Sequence, residues 1–428
     1  VCVRDGRASR PGGSGRRQRV AQGSTGIFGG CWIGGTVLSW YSDRKMQFGV
    51  SATVYRTILF DVDGVFLSEE RYFDASALCV WELLGSRQYL GLDLGFTPTP
   101  DEPTIRRVRR EVFANDRVLS FLKSRGLNSN WDMVFLTFSY QLILLLEQLA
   151  RKDRSFVRDV LRGPIDRGVL QEIGARARGL GFVPRYDAFV DAFAPSPAVK
   201  AELLFHLNEV AARGTGVETE IFSRNSALWE LCREAFQEWY LGDERYEETT
   251  GRPTSQPGKR GFLEDEIPLA PPDALRDLLA SLRRRGIRLG VGTGRPTTET
   301  VVPLSALGLL SFFDPDAVVT ASDVLAAERA HPDAAPLAKP HPYTYLKALF
   351  GKSTPDEVVL RTALPVGEAD AVLIVGDSLA DLLAARRIGC RFAATLTGLE
   401  GPRARAKFVE HGADYILEDV TQLVTLLT

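Results

Sequence analysis

The chain lacks the residues that build metal clusters and covalent staples. Its five cysteines, Cys2, Cys31, Cys79, Cys232 and Cys390, lie far apart, and no C-x-x-C pair or Cys/His cluster occurs. The pattern therefore gives no support to a zinc site or disulfide framework, and reduced thiols of a cytoplasmic protein are expected. Long apolar runs are missing as well. The longest, residues 133–146, is interrupted by Thr137, Ser139 and Gln141 and is too short to span a bilayer, so it reads as a buried helix. Nor is there an excess of one charge: 52 Lys and Arg stand against 54 Asp and Glu, for a net charge of -2. That balance argues against a nucleic-acid or membrane-surface partner. There is no internal repeat.

What is present is ordinary for a globular protein: 428 residues, 45% hydrophobic and 25% charged, enough for two or more domains. The charge is unevenly spread. Residues 1–45 hold eight Lys/Arg and two Asp/Glu, about +6, which leaves -8 for the remainder. This segment is rich in Gly, Ser and Arg and shows no periodicity. Met46 stands just before the first convincing strand, so 1–45 is expected to be an upstream artefact or a disordered extension. A transit peptide is the alternative, since the segment is Arg-rich and acid-poor, although it has no clear amphipathic helix.

Residues 54–62 read as a buried strand, broken by Asp63-Gly64. From about 68 to 241 apolar residues recur at helical spacing, as in Val118, Phe121 and Leu122 or Leu228, Leu231, Cys232 and Ala235. Residues 242–260 are polar, punctuated by Gly and Pro, and read as a linker. Strands and helices then alternate: helix 275–285, strand 287–291, helix 298–307 with Pro303 inside it, strand 317–320, helix 341–350, strand 371–375, helix 379–388, and short strands at 392–396 and 415–417. Such alternation predicts an α/β fold with a Rossmann-like parallel sheet, helices on both faces. The expected organisation is a core of 46–67 and 261–428, interrupted by a mainly α-helical insert over 68–241.

Four chemical signals fall at strand ends or helix starts. Asp61 and Asp63 flank Val62 where the first strand stops, and ligands of open parallel sheets bind at that edge. Two carboxylates there suit magnesium, a hard cation that prefers oxygen, or a division of labour between an attacking and a proton-donating group. A D-x-D-G turn is also an ordinary way to end a strand. Val291-Gly292-Thr293-Gly294-Arg295-Pro296 follows the next strand. Thr293 can donate its hydroxyl to a phosphate oxygen, Gly294 lets the backbone N–H approach, and Pro296 suits the first turn of a helix whose N-terminus favours anions. The glycine spacing faintly imitates a dinucleotide fingerprint, but Arg295 occupies its sixth position. Lys339 precedes a Pro-started helix and offers a fixed charge, although a lone lysine is usually solvated. Finally, Asp377 ends the strand before Ser378, with Asp381 one helical turn on, and with Asp61 these could surround a cation. Aspartates also cap helices. Gly351-Lys352-Ser353-Thr354 imitates the end of a P-loop, but position 346 is Leu and the stretch follows a helix, so it is set aside. The arginines at 106, 107, 109 and 110 read as a solvated helix face.

In this order and placement, the four signals resemble the haloacid dehalogenase-like (HAD) hydrolase superfamily, over about 55–67 and 261–427. The run from Gly376 through Gly389, with Gly412-Ala413-Asp414-Tyr415-Ile416-Leu417, is similar to its phosphoglycolate phosphatase and pyrophosphatase branch. The resemblance implies a Mg2+-dependent phosphohydrolase acting on a small phosphorylated metabolite. Asp61 would be the nucleophile that becomes a phospho-aspartate, and Asp63 the general acid and base. Thr293, the Gly294 backbone and Lys339 would hold the phosphoryl oxygens. Asp61, Asp377 and the Asp63 backbone carbonyl would hold magnesium, with Asp381 acting directly or through another ligand. The insert would be a cap, longer than is usual in that branch. A phosphomutase shares all four motifs. A dehalogenase is disfavoured by Asp63, and a silent binding module by the retention of every motif residue.

Overall fold

Strand β1, Thr57–Phe60, is apolar on both sides because both of its faces are covered. Ile58 and Phe60 enter one apolar layer and Leu59 the other, as alternation along a strand requires. The computed structural model describes residues 55–127, 129–200 and 202–426. The 1–45 segment therefore lies outside the described residues.

Five further strands complete a six-stranded parallel sheet: β2 (Arg288–Gly292), β3 (Val318–Val319), β4 (Val372–Gly376), β5 (Arg391–Thr395) and β6 (Tyr415–Leu417). The order is β3-β2-β1-β4-β5-β6, so the sheet is Rossmann-like, as expected. Strand β1 lies at its centre: Phe60 pairs with Val291 on one side and with Val375 on the other. The direction of winding reverses beside β1, and a crevice at the carboxyl ends of the strands is expected at such a point. Helix Pro272–Arg284 covers one face through Leu275, Leu278, Leu279 and Leu282. Helices Tyr343–Phe350 and Leu379–Ile388 cover the other.

Between β1 and β2 the chain builds a separate apolar core from helices. Glu70–Gly85, Asn130–Ala150, Glu202–Thr215 and Ala227–Thr250 pack on one another there. Ser129 and Ser226 start two of them by accepting the backbone N–H groups of Asp132 and Trp229. Asn130–Ala150 is long and apolar enough to cross a membrane, yet its apolar residues are buried among the other helices. The chain leaves and re-enters the sheet side by side: Ser68 N donates to Ile267 O at 2.8 Å and Leu269 N to Phe66 O at 2.9 Å. The arginines expected on a solvated face are only partly so. Arg106 and Arg109 of helix Glu102–Val112 turn toward Glu70 and the fully buried Asp74.

The segment 242–260 differs from the linker expected of it. Helix Ala227–Thr250 runs into it, bent at Gly242 (φ 78°) and stopped by Gly251. Gly242 is required by close approach, since a Cβ there would lie 2.7 Å from the Arg260 carbonyl. Beyond the kink Tyr246 is buried in the helical core, which keeps the last turns helical. The irregular remainder is pinned by Lys259, only 3% exposed. Its ammonium lies 3.0 Å from Glu82 Oε1 and 2.5 Å from Glu238 Oε2, while Trp239 Nε1 donates to Glu82 Oε2 at 2.6 Å. Removing one partner of a buried ion cluster leaves uncompensated charge behind. Lys259→Met is therefore expected to lower the unfolding free energy by about 3–5 kcal/mol in urea denaturation. The sign of the pH effect follows from Glu82. Burial pushes its carboxyl up to about 7, even with Lys259 opposing. A raised carboxyl favours the fold at low pH, and that contribution is lost as pH rises through its folded value. The deficit of the variant should be smaller near about pH 5 than near about pH 8, and an unchanged urea midpoint would show that this cluster does not hold the segment.

Candidate active site

Three adjacent strands deliver the site. Asp61 follows β1, Thr293 follows β2 and Asp377 follows β4, and in-register parallel pairing brings those ends together. Lys339 arrives from the segment before helix Tyr343–Phe350. Its Nζ lies 2.7 Å from Asp61 Oδ2, 2.7 Å from Asp381 Oδ1 and 3.3 Å from the Gly292 carbonyl. Lys339 thus ties the end of β1 to the end of β2 and to the first turn of helix Leu379–Ile388. The lysine expected by default to be solvated is only 13% exposed, because two carboxylates receive it.

Asp61, Asp377 and Asp381 each offer an oxygen, all within 4.8 Å of one another. Burial pushes the Asp61 carboxyl up to about 7; Lys339 opposes this, while Asp381 and Asp63 add to it. Asp377 is held well above the usual carboxylate range, first by burial and then by Asp381 and Asp61. Burial leads both shifts, and the grouping adds to it: three carboxylates face one ammonium, a formal deficit of two positive charges. A divalent cation with oxygen preference matches that deficit, so the donor set fits magnesium. The three acids are not equivalent. Asp381 is fully buried, its Oδ1 receives Lys339 and the Tyr345 hydroxyl at 2.7 Å, and its Oδ2 receives the Ser378 hydroxyl at 2.6 Å. With Oδ1 occupied twice, Asp381 fits a role in holding Lys339 better than one as a primary ligand.

The remaining expected residues are placed around this cluster. The Thr293 side chain is buried, its Oγ1 accepting the Arg295 backbone N–H at 3.2 Å. Gly294 is exposed, and a Cβ there would meet nothing within 4 Å, so only an incoming ligand would make glycine necessary. The Asp63 carboxylate stands apart from the other three and is engaged by Arg295. Its neighbour Gly64 is anchored through its carbonyl by the hydroxyls of Thr395 at 2.9 Å and Thr397 at 2.5 Å.

Sequence reasoning missed Arg295, Tyr345 and Ser378. Arg295 is the largest fully buried side chain of the described residues. Its only signal was its place in the loop after β2, where it breaks the dinucleotide pattern. Ser378 carried a usable one: it is an N-cap whose side chain accepts from Asp381 N.

Parts of this chain are similar to known proteins. A HAD-hydrolase-like family model matches residues 336–423. A phosphoglycolate phosphatase of Haemophilus influenzae is 29% identical over 156 residues, covering 36% of this chain and 55% of that protein. A plasmid-encoded phosphoglycolate phosphatase of Cupriavidus necator is 30% identical over 152 residues, covering 35% of this chain and 52% of that protein. The chain thus spans about half the length of the curated relatives it matches. A crystal structure from the Northeast Structural Genomics Consortium is 42% identical and superimposes with a TM-score of 0.79 over 87% of this chain and 98% of the other. That coverage takes in most of the helical insert, so the insert is a shared part of the architecture.

The cluster makes a testable demand on Gly398. A Cβ there would lie 1.9 Å from Asp377 Oδ2 and 2.8 Å from its Cγ, so the carboxylate must turn aside. Gly398→Ala is expected to weaken manganese binding, followed by electron paramagnetic resonance, about tenfold or more, with stability changed by less than about 1 kcal/mol. Unaltered affinity would remove Asp377 from the ligand set.

Proposed function

From its membership of the haloacid dehalogenase-like hydrolase superfamily, in the phosphoglycolate phosphatase-like branch, we propose that this chain is a magnesium-dependent phosphatase. Its substrate is a small phosphorylated metabolite, and its chemistry passes through a phospho-aspartate at Asp61. The observation that carries the reading is the cluster of Asp61, Lys339, Asp377 and Asp381 at the carboxyl edge of the sheet.

Asp61 attacks phosphorus in line. An oxygen–phosphorus bond forms to its carboxylate as the bond to the leaving oxygen breaks, and Asp63 delivers a proton to that oxygen. Asp63, now ionised, takes a proton from the water that attacks the phospho-aspartate, which releases phosphate and restores Asp61. Lys339, the Thr293 hydroxyl and the Gly294 N–H hold the phosphoryl oxygens in both steps. Lys339 also opposes the burial that raises the Asp61 carboxyl and so favours the ionised nucleophile. Asp61, Asp377 and the Asp63 carbonyl would hold magnesium, which when bound offsets the repulsion between carboxylate and phosphate. Asp381, with Tyr345 and Ser378, keeps Lys339 in position. The helical insert serves as a cap that excludes water during transfer. Its paired crossing at Phe66–Leu269 and Ser68–Ile267 is the natural hinge, in place of the 242–260 segment.

The test is hydrolysis of p-nitrophenyl phosphate by the full chain with magnesium and with EDTA, followed by a panel of phosphorylated metabolites that begins with phosphoglycolate. Turnover should require magnesium, and Asp61→Asn should lower it by roughly a thousandfold or more while the fold is retained. If the wild-type chain neither turns over these esters nor binds magnesium with beryllofluoride, the reading fails.

A further inference from the structure

Arg295 is fully buried where the insert meets the sheet, and two carboxylates and a backbone carbonyl converge on it. Its Nε lies 2.8 Å and its Nη2 2.6 Å from a single oxygen, Asp63 Oδ1. Its Nη1 reaches Glu266 Oε1 at 2.8 Å, the Glu299 carbonyl at 3.1 Å and the Tyr240 hydroxyl at 3.2 Å. The guanidinium also covers the Tyr72 ring at 4.6 Å. Tyr72 and Tyr240 come from the first and last long helices of the insert and stack at 4.5 Å. They donate in turn to acids of the sheet side, Tyr72 to Glu299 at 2.6 Å and Tyr240 to Glu266.

We propose that Arg295 is a positioning residue for Asp63: it decides which oxygen of that carboxyl exchanges the proton and ties the carboxyl's orientation to the seating of the insert. The inference rests on Asp63 being the general acid and base. Oδ1 accepts the Nε–H and lies 2.6 Å from the Nη2 end of the cation, so this oxygen is turned into the guanidinium and away from the cluster. Among the described residues Asp63 Oδ2 has no hydrogen-bond partner, and it is the oxygen left to serve the leaving group and the water. The guanidinium is fixed because its Nη1 is held by Glu266 and the Glu299 carbonyl on the sheet side and by Tyr240 of the insert. Lysine at this position would keep a charge but could not bond Asp63 and Glu266 from two ends of one rigid plane.

A merely structural bridge would slow every substrate alike; a residue acting through the proton donor would not. The full-length wild type, Asp63→Asn, Arg295→Lys, Arg295→Met and the double variant Asp63→Asn/Arg295→Lys are compared on para-substituted phenyl phosphates of rising leaving-group basicity. The quantity read is kcat/KM, which reports formation of the phospho-aspartate. Arg295→Met should lose about 10- to 100-fold on phenyl phosphate and less than about threefold on p-nitrophenyl phosphate, whose leaving group needs little protonation. Arg295→Lys should show the same slope in weaker form, and in the Asp63→Asn background it should cost less than about twofold more. Tyr240→Phe, which removes one hydroxyl and no volume of the ring, should shift the slope the same way and serves if Arg295→Met does not fold. Equal losses across the series, or losses that multiply with Asp63→Asn, would overturn the proposal. A wild type inactive on every ester would instead overturn the phosphatase reading.

Discussion

Three carboxylates grouped beside one ammonium, at the rigid edge of a parallel sheet, form the constraint on which the rest depends. Like charges about 4 Å apart repel by about 4 kcal/mol even at an effective dielectric of about 20. The backbone cannot relieve that repulsion, because β1 and β4 are central strands paired on both sides. Lys339 relieves part of it, and Asp381, Tyr345 and Ser378 fix where that relief is delivered. Asp61 and Asp377 are left short of positive charge, and their carboxyls are raised first by burial and then by neighbouring carboxylates, Asp381 before the others. A divalent cation and a phosphoryl group can occupy such a place together, since the cation answers the carboxylates and Lys339 answers the phosphate.

The junction between sheet and insert obeys a different rule. The apolar core of the insert is separate from the two apolar layers of the sheet. What joins them near the site is a polar and aromatic contact built on Arg295, Glu266, Glu299, Tyr72 and Tyr240. Directional bonds of this kind specify one seating of the insert, whereas apolar contact alone would tolerate several. Because Asp63 hangs from the same guanidinium, that seating and the presentation of the acid/base are a single geometric event.

Much of this was legible in the sequence. The alternation after residue 261 gave the sheet its strands, and a buried strand ending in an acid located Asp61 and Asp377. Two-residue spacing from Asp61 identified Asp63 but not its orientation, because the partner that turns it lies 232 positions away. Lys339 became interpretable only through the order of all four signals; on its own it looked solvated. Arg295 showed only as a break in a glycine pattern, since its burial depends on acids at 63 and 266 that no local pattern connects. The 242–260 segment was misread because Gly and Pro mark irregular backbone without marking mobility. What immobilises it, Lys259 between Glu82 and Glu238, is again non-local.

Lys259, Lys339 and Arg295, like Arg71, share one local recipe, a cation held between two or more carboxylates, yet the surroundings of the first three separate them. Lys259 and both of its acids have side chains at 0–1% exposure, a closed cluster with no room for a further group. Lys339 and Asp61 retain 13% and 10%, and Asp63 retains 26%, so a small ligand can reach them from the carboxyl edge. Arg295 stands between the two cases: sealed at 1% itself, it presses on the accessible Asp63. Pairing alone therefore does not mark a chemical site, because the insert's core pairs its charges just as thoroughly for stability. What marks it is paired charge that keeps a path to solvent and is backed by a sealed layer that cannot rearrange. In this fold the path and the sealed layer meet at the carboxyl end of β1, where Asp61 takes its bonds from Lys339 and Asp63 takes its own from Arg295.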